Sequence, residues 1–248
     1  MQREGVEAHW ITRRGCASQT AFILVADPCG ERTVLRKRDA GIALRPEDLK
    51  RDWIRGARAV LVDEHDTEAA AQAACWAREE KILVAGDSDN PYAGIKVLLE
   101  YVDSPITSKD FPERLTGERD LLKSLPKIFR EFKCRMIAAT LGHLGALAWD
   151  GDRFILSPGF RLKALDTTGA GDVFHGAFLY GLVRGWQVEE ILEFSCAAAA
   201  LNCQALGARG GIASQAEIEK LRRSGERSER AYTPEELQQA ARGAGDKP

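Results

Sequence analysis

The hydrophobic positions along this chain change their spacing several times, and each change indicates a different secondary structure element. From about residue 46 onward, short apolar runs alternate with longer stretches in which apolar residues recur every three to four positions. The first pattern is typical of buried strands, and the second is typical of helices that cover them. Such alternation predicts an α/β fold with a doubly wound, mostly parallel sheet flanked by helices.

The elements that this spacing predicts can be stated by residue number. Strands are expected at residues 59–62, 81–85, 106–108 and 135–139, followed by a hairpin of residues 146–149 and 153–157. Helices are expected at residues 47–54, 67–80, 91–101, 120–132, from near Asp172 to 184, and 188–206. Polar residues follow the strands at 63–65 and 87–90, where a doubly wound sheet binds its ligands.

The two ends of the chain have different patterns. Residues 20–26 and 32–37 read as strands joined by a turn that contains Pro28 and Gly30, so residues 16–38 are expected to hold a β-hairpin. Taken alone, this pattern indicates an ordinary edge hairpin. Residues 221–248 are charged and glycine-rich, with one short helix expected at 234–242. They predict a mobile tail that follows a folded body of residues 1–220.

Composition excludes several classes of protein. A chain of 248 residues, 44% hydrophobic and 29% charged, is long enough for one large α/β domain. The formal net charge of −2 predicts no nucleic-acid partner, and no apolar run is long enough to predict a membrane span. Six cysteines without a C-x-x-C pair predict buried, reduced thiols in a cytoplasmic protein, and four scattered histidines lack the spacing of a metal site.

The stretch from Asp166 to Leu179 carries the clearest chemistry. A β-type run at residues 162–165 leads through Gly169, Ala170 and Gly171 into an apolar helix that begins near Asp172. Small residues allow a ligand to approach the backbone, and the amides and dipole of a helix start attract phosphate. Asp172 could then accept a proton from an attacking hydroxyl. The alternative is that Asp172 is only a helix cap.

The run from Asp166 to Phe178 resembles, at every position, the C-terminal signature of the PfkB (ribokinase-like) carbohydrate kinases. The resemblance implies a ribokinase-like fold with a small β lid, and transfer of the γ-phosphate of ATP to a sugar hydroxyl. It implies that Asp172 is the catalytic base and that the amides of Gly169, Ala170 and Gly171 form an anion hole. The hairpin of residues 16–38 would be the lid, with Arg32 facing the small-molecule sugar.

Further positions acquire expected roles from the same resemblance. The segment Thr140-x-Gly142-x-x-Gly145 is similar to the nucleotide-binding loop of the family. The family likeness also places Cys196 near the adenine pocket. It places a monovalent cation, K⁺ in some relatives, at Asp166 and Thr168 with the backbone carbonyls of residues 207–211.

Two departures from the family pattern affect what the resemblance implies. Many relatives place Mg²⁺ with an Asn-x-x-Glu motif, where this chain has Ser108 and Phe111 and is similar instead to the ketohexokinase-like branch. Mg²⁺ is therefore expected on the ATP phosphates, without an assigned residue. Relatives also start with a sugar-binding strand and a Gly-Gly-x-x-x-Asn segment. Neither is found here, so the chain is expected to be short at its N-terminus relative to the family.

The open alternatives concern the acceptor and the assembly. A nucleoside kinase of the same superfamily has the same signature, and a catalytically silent nucleotide-binding or partner-binding remnant is consistent with the absent sugar-binding segment. The residues that select a sugar lie mostly in that segment, so the sequence does not name the acceptor. Lid hairpins in relatives often pair subunits, which implies a homodimer.

Overall fold

The structure, a computed structural model, describes residues 4–25 and 32–245 of the chain and contains two sheets. The strands are β1 Thr20–Val25, β2 Arg32–Lys37, β3 Ala59–Asp63, β4 Leu83–Ser88, β5 Ser104–Ser108, β6 Ile137–Thr140, β7 Ala146–Trp149 and β8 Phe154–Ser157. The α-helices are α1 Thr67–Glu79, α2 Ile95–Leu99, α3 Phe111–Thr116, α4 Leu121–Phe132, α5 Ala170–Arg184, α6 Val188–Asn202, α7 Gln215–Ser224 and α8 Pro234–Gly245.

The large sheet has the strand order β3-β4-β5-β6-β7-β8. Strands β3 to β6 pair in parallel, and β7 and β8 add an antiparallel end. The predicted mostly parallel sheet is therefore confirmed. Successive side chains along a strand point to opposite faces, so Ile137 and Ala139 join one apolar core while Ala138 joins the other.

Helices cover both faces of this sheet. One core packs the sheet against α1, α2, α4 and α8 and includes the fully buried Leu99 and Leu125. The second core packs the other face against α5, α6 and α7 and includes Phe178, which has no exposed surface. Parallel strands that are buried on both faces produce the continuous apolar runs that the sequence contains. No helix in the described part of the chain is both long and apolar enough to span a membrane.

Two predicted elements are absent from the described structure. Residues 47–54 form two 3₁₀ turns, Pro46–Asp48 and Arg51–Trp53, instead of one helix. The carboxylate of Asp48 accepts the N–H of Arg45 at 2.9 Å, which closes a tight turn in place of a helical repeat. Residues 162–165 form no strand, because the N–H of Leu165 donates at 2.7 Å to the carbonyl of Cys203 after α6.

Other predicted elements are present with shifted ends. The strand expected at 81–85 starts later because Lys81 has a positive φ of 59°, and the helix expected at 91–101 is reduced to α2 because Gly94 precedes it with a φ of 84°. The helix expected at 188–206 ends at Asn202. Caps and local turns fix these boundaries, and apolar spacing does not report them.

The C-terminal residues differ from the expected mobile tail. Helix α7 extends past residue 221, and α8 packs Leu237, Ala240, Ala241 and Ala244 against the first core. The guanidinium of Arg130 in α4 also donates to the carbonyl of Ala244 at 3.1 Å. An apolar stripe repeating every three to four residues is enough to dock a helix, although the average composition of the segment is polar.

Strands β1 and β2 form the separate two-stranded sheet expected from the N-terminal pattern. The turn at residues 27–31, which carries the predicted Pro and Gly, lies outside the described residues. Phe22, Leu24 and Leu35 share one face and are 76, 61 and 57% exposed. On the opposite face, Arg36 contacts His65 beyond β3 at 2.8 Å. The hairpin thus has an apolar outer face and a polar contact to the body.

Lys133 provides a test of the left-handed backbone conformation at the C-terminal end of α4. It closes α4 with a φ of 53°, a conformation that costs a side-chain-bearing residue about 1 kcal/mol relative to glycine. We expect Lys133→Gly to raise Tm by roughly 2–4 °C. The reverse sign is expected for Lys123→Gly inside the same helix, which should lose about 1 kcal/mol. Thermal unfolding of both variants checks this, and a lower Tm for Lys133→Gly would contradict it.

Candidate functional site

The polar groups of the chain converge where the parallel strands end and α5 begins. The side chain of His175 in α5 reaches the carbonyl of Ile106 in β5 at 3.4 Å and the carboxylate of Asp87 in β4 at 3.3 Å. The helix therefore begins directly over the carboxyl ends of β4 and β5. This is the edge at which doubly wound sheets bind ligands.

The segment before α5 is held by a buried carboxylate. One oxygen of Asp166 accepts the N–H of Thr168 at 2.8 Å, and the other accepts the N–H of Gly207 at 2.8 Å. Gly169 then caps the helix with a φ of 78°, and a Cβ at this position would clash with the carbonyl oxygen of Ala208. Only glycine satisfies both the backbone angle and this close approach. The helix begins at Ala170, two residues before the expected start at Asp172.

The first turn of α5 leaves two backbone donors open. Within the described part of the chain, the N–H groups of Gly171 and Asp172 have no hydrogen-bond partner, whereas the N–H of Ala170 donates to Thr167 at 3.2 Å. The carboxylate of Asp172 is exposed beside them. Open amides at a helix start, together with the helix dipole, can hold an anion, and the adjacent carboxylate can accept a proton.

A cavity of about 260 Å³ adjoins this turn. It brings together Thr140, Gly142 and Gly145 from the turn after β6 with Cys196 from α6 and Ala170 and Gly171 from α5. The turn after β6 packs closely, since Gly145 has a φ of 101° and a Cβ there would clash with the carbonyl of Ser157. The four residues expected to bind nucleotide therefore line one space next to the open amides.

The walls of the cavity are apolar and fixed. The thiol of Cys196 is buried and donates to the carbonyl of Ser157 at 3.9 Å, and burial raises the pKa of this thiol to about 12. The ring of Phe160 also lines the cavity and carries the guanidinium of Arg227 at 3.8 Å from its centre. A neutral thiol and an aromatic wall suit a flat, uncharged ring.

A cluster of carboxylates lies at the ends of β3 and β4. Glu64 is 2% exposed and accepts the N–H groups of Asp89 and Asn90 at 2.9 and 3.1 Å, and its burial raises its pKa. Burial also raises the pKa of Asp87 to about 6, with smaller contributions in the same direction from the negative charges of Asp89, Glu64 and Asp172. The neighbouring His175 has the opposite effect on Asp87.

Two buried oxygens near Asp166 lack partners among the described residues. They are Oγ1 of Thr168 and Oδ1 of Asn202, and the amide of Asn202 donates to the carbonyl of Thr168 at 3.2 Å. Unpaired buried oxygens beside a carboxylate are a chemically suitable set for a cation.

Ser108 and Phe111, to which no role in placing Mg²⁺ was assigned, do not form a metal site. Phe111 is completely buried in the first core, and the hydroxyl of Ser108 donates to the carbonyl of Asp89 at 3.5 Å. Over residues 4–25 and 32–245, no group of three or more His, Cys, Asp or Glu side chains could hold a metal ion. Arg32 starts β2, but its side chain lies outside the described part, so its expected contact with substrate stays a prediction.

Sequence reasoning assigned no role to His175, although this residue lies inside the signature. Its ring is 5% exposed, and Nδ1 lies 2.6 Å from the carbonyl oxygen of Gly171. The signal that could have identified it is a histidine one helical turn after Asp172, on the buried side of an apolar helix. Its carboxylate partner is 88 positions earlier in the chain, and only the fold reveals it.

The fold and site together define an α/β protein in which a helix start with two open amides lies beside an apolar cavity. Comparison with known proteins identifies the family: residues 1–215 match the profile of the pfkB family carbohydrate kinases, and the chain belongs to that family. A putative ribokinase from Agrobacterium tumefaciens has a similar structure, with a TM-score of 0.77 and 28% identity over 84% of this chain and 69% of that one.

Two relatives show the extent of the sequence similarity. The ribokinase of Lactococcus lactis is 30% identical over 160 residues, which span 62% of this chain and 49% of that protein. The 5-dehydro-2-deoxygluconokinase of Geobacillus kaustophilus is 25% identical over 89% of this chain and 73% of that protein. The match thus spans about half the length of the first relative and nearly three quarters of the second.

Proposed function

We propose that this protein is an ATP-dependent sugar kinase that transfers the γ-phosphate of ATP to a hydroxyl of a carbohydrate. The observation that carries the proposal is the position of Asp172, whose carboxylate stands beside the open amides at the start of α5. Those amides adjoin a cavity lined by the turn after β6 and by Cys196. Membership of the pfkB family supports the same reaction class.

In the proposed mechanism, Asp172 accepts the proton of the sugar hydroxyl while the oxygen attacks the γ-phosphorus in line. The bond between that phosphorus and the oxygen bridging it to the β-phosphate breaks, and ADP leaves with the bridging oxygen. The amides of Gly171 and Asp172, with that of Gly169, stabilise the charge that develops on the transferring phosphoryl group. The amide of Ala170, expected in the same role, already donates to Thr167 and contributes less. Positioning and electrostatics supply most of the rate, because little covalent chemistry falls to the protein.

ATP is proposed to place its adenine in the cavity that Thr140, Gly142, Gly145 and Cys196 line, with its phosphates directed toward the start of α5. Mg²⁺ is proposed to arrive on the ATP phosphates, where it neutralises charge, and no side chain of this chain is assigned to it. K⁺ is proposed near Asp166 and Thr168, where the unpaired oxygens of Thr168 and Asn202 support it.

The assembly and location of the protein are also proposals. The outer face of the hairpin, with Phe22, Leu24 and Leu35 exposed, is suited to pairing with a second hairpin in a homodimer. The inner face, with Arg36 against His65, would close over the sugar as a lid. We place the protein in the cytoplasm, where its proposed co-substrate ATP is available.

The experiment that tests the function is acceptor-dependent release of ADP. The purified chain is incubated with MgATP and a panel of ketoses, aldoses, sugar acids and nucleosides, in the presence of either K⁺ or Na⁺. Release that depends on a sugar supports the proposal. Release with nucleosides alone identifies a nucleoside kinase instead. ATP binding without release on any acceptor would identify a catalytically silent nucleotide-binding protein and overturn the proposal.

Two cysteines provide a test of the ATP site without any substitution. Cys203 lines the cavity and is partly exposed, whereas Cys75 is partly exposed in α1 and does not line it. We expect MgATP at ten times its Kd to slow alkylation of Cys203 about tenfold, because only the unliganded fraction reacts. Cys75 is the internal control and should react at the same rate throughout. Peptide mass spectrometry measures both, and equal rates for Cys203 with and without MgATP would place the nucleotide elsewhere.

A further inference from the structure

We propose that His175 and Asp87 form a proton-sharing pair that positions the first turn of α5, and with it the open amide of Asp172, for phosphoryl transfer. The inference rests on the proposed function and adds two positioning residues to it. Neither residue contacts a reacting atom in this scheme. Their role is to hold a backbone group that does.

The imidazole of His175 is surrounded by hydrogen-bond acceptors. Nδ1 faces the carbonyl oxygen of Gly171 at 2.6 Å, and Nε2 faces the carbonyl oxygen of Ile106 at 3.4 Å and a carboxylate oxygen of Asp87 at 3.3 Å. All three neighbours are acceptors unless Asp87 is protonated. A neutral imidazole has one N–H and would leave one nitrogen lone pair facing an acceptor. Both ring nitrogens therefore have a suitable hydrogen-bond partner only when His175 and Asp87 together hold one proton more than a neutral imidazole and an ionised carboxylate.

His175 holds the peptide group between Gly171 and Asp172. The carbonyl of Gly171 and the N–H of Asp172 belong to the same planar peptide, and they point in opposite directions. A donor on the carbonyl side therefore fixes the direction of the N–H, and it also polarises that N–H as a donor. This N–H is one of the two open amides at the start of α5. The side chain of His175 thus acts on the anion site through a single rigid unit.

Carboxylates from three elements lie around the His175–Asp87 pair: Glu64 after β3, Asp87 itself and Asp89 at and after β4, and Asp172 on α5. Burial and these carboxylates raise the pKa of Asp87 to about 6, so its ionised form exists near neutral pH at a cost in stability. A buried charge that lowers stability is a sign of a functional site.

The test uses Asp87→Asn, which keeps the shape of the side chain and removes its charge. At pH 8 we expect kcat to fall about 10- to 100-fold, since a small displacement of an aligned group has an effect of this size. The Kd for MgATP should change little, because the pair does not line the cavity. Tm at pH 8 should rise, because the variant no longer buries a carboxylate. A control, Asp152→Asn, removes an exposed charge in the turn between β7 and β8 and should change none of the three quantities.

The pH dependence gives a second readout, with its sign fixed by the raised pKa. A carboxylate whose pKa is higher in the folded state binds more protons when folded, so wild-type stability gains from this group as the pH falls through about 6. The Tm advantage of Asp87→Asn should therefore be largest at pH 8 and shrink toward pH 5. The loss of kcat should shrink over the same range, because wild-type Asp87 is itself protonated there.

The histidine side of the pair is tested by two substitutions. His175→Asn keeps an amide N–H near the position of Nδ1 and can still donate to Gly171, whereas His175→Leu cannot. We expect His175→Asn to retain more turnover than His175→Leu. Equal turnover in the two variants, or a loss in Asp87→Asn that is independent of pH and parallels a lower Tm, would overturn the proposal and leave a packing role.

The outcomes separate this inference from the proposed function. If no acceptor is phosphorylated, the proposed function fails, but the pH-dependent Tm difference between wild type and Asp87→Asn is still measured. A Tm difference that shrinks from pH 8 toward pH 5 then supports the proton-sharing pair as a property of the fold and removes its link to turnover. A Tm difference that is the same at pH 8 and at pH 5 refutes the pair, whatever the acceptor assay shows.

Discussion

Asp172→Asn is expected to lower kcat by about 10²–10⁴-fold, the range that a general base contributes. The amide side chain keeps the size of the carboxylate but cannot accept the proton of the attacking hydroxyl. The N–H groups of Gly171 and Asp172 are backbone donors and remain in place, so the Kd for MgATP should stay within about twofold of wild type. Acceptor-dependent ADP release and equilibrium nucleotide binding measure the two quantities separately.

The control for this prediction is another removal of a carboxylate. Asp152→Asn changes the net charge by the same amount at an exposed position in the turn between β7 and β8. It should retain wild-type turnover. A variant at Asp172 that keeps most of its turnover would mean that the carboxylate is only a helix cap, whose loss affects stability by about 1 kcal/mol and has no effect on the chemical step.

Gly169→Ala is expected to damage both the fold and the site. The φ of 78° costs a residue with a side chain about 1–2 kcal/mol, and the clash of its Cβ with the carbonyl oxygen of Ala208 adds about 1–3 kcal/mol. Together these terms predict a Tm lower by roughly 5–15 °C. The turn can relieve the clash only by moving away from residue 208, which displaces the first turn of α5. Turnover should therefore fall even at temperatures at which the variant is folded.

Gly176→Ala makes the same chemical change in the same helix without these penalties. A Cβ at Gly176 meets no atom within 4 Å, and alanine is favoured over glycine inside a helix by about 0.5–1 kcal/mol. The expected result is a small rise in Tm. Differential scanning calorimetry of the two variants measures both Tm values. A Gly169→Ala protein with wild-type Tm would refute the requirement for glycine at position 169.

Much of the site could be read from the sequence because it depends on local chain properties. The stretch from Asp166 to Phe178 contains its own turn, its own helix start and its own carboxylate, and all three can be recognised in consecutive residues. The loop of Thr140, Gly142 and Gly145 has a similarly local signal. The chemical roles of these residues stay predictions, and so does that of Arg32, whose side chain lies outside the described residues.

The remaining features could not be read, because residues far apart in the chain determine them. The segment at 47–54 has a helical pattern but forms two 3₁₀ turns, and Asp48 in the first of them pairs with Arg13, 35 positions earlier in the chain. Helix α8 is polar on average, and it is ordered by a stripe that packs on the first core. Apolar spacing describes one segment at a time, whereas caps and docking sites involve two.

The sequence by itself determined the strand and helix alternation, the mostly parallel sheet and the glycine-rich turn before α5, because side-chain period and glycine placement are properties of neighbouring residues. The tertiary structure alone decided that Asp87 meets His175, that the amides of Gly171 and Asp172 stay open, and that Cys196 closes a cavity with the turn after β6. These contacts depend on strand order and on the position of α5 over the sheet. Both are set by burial of apolar surface across the whole domain, and no single stretch of the chain contains that information.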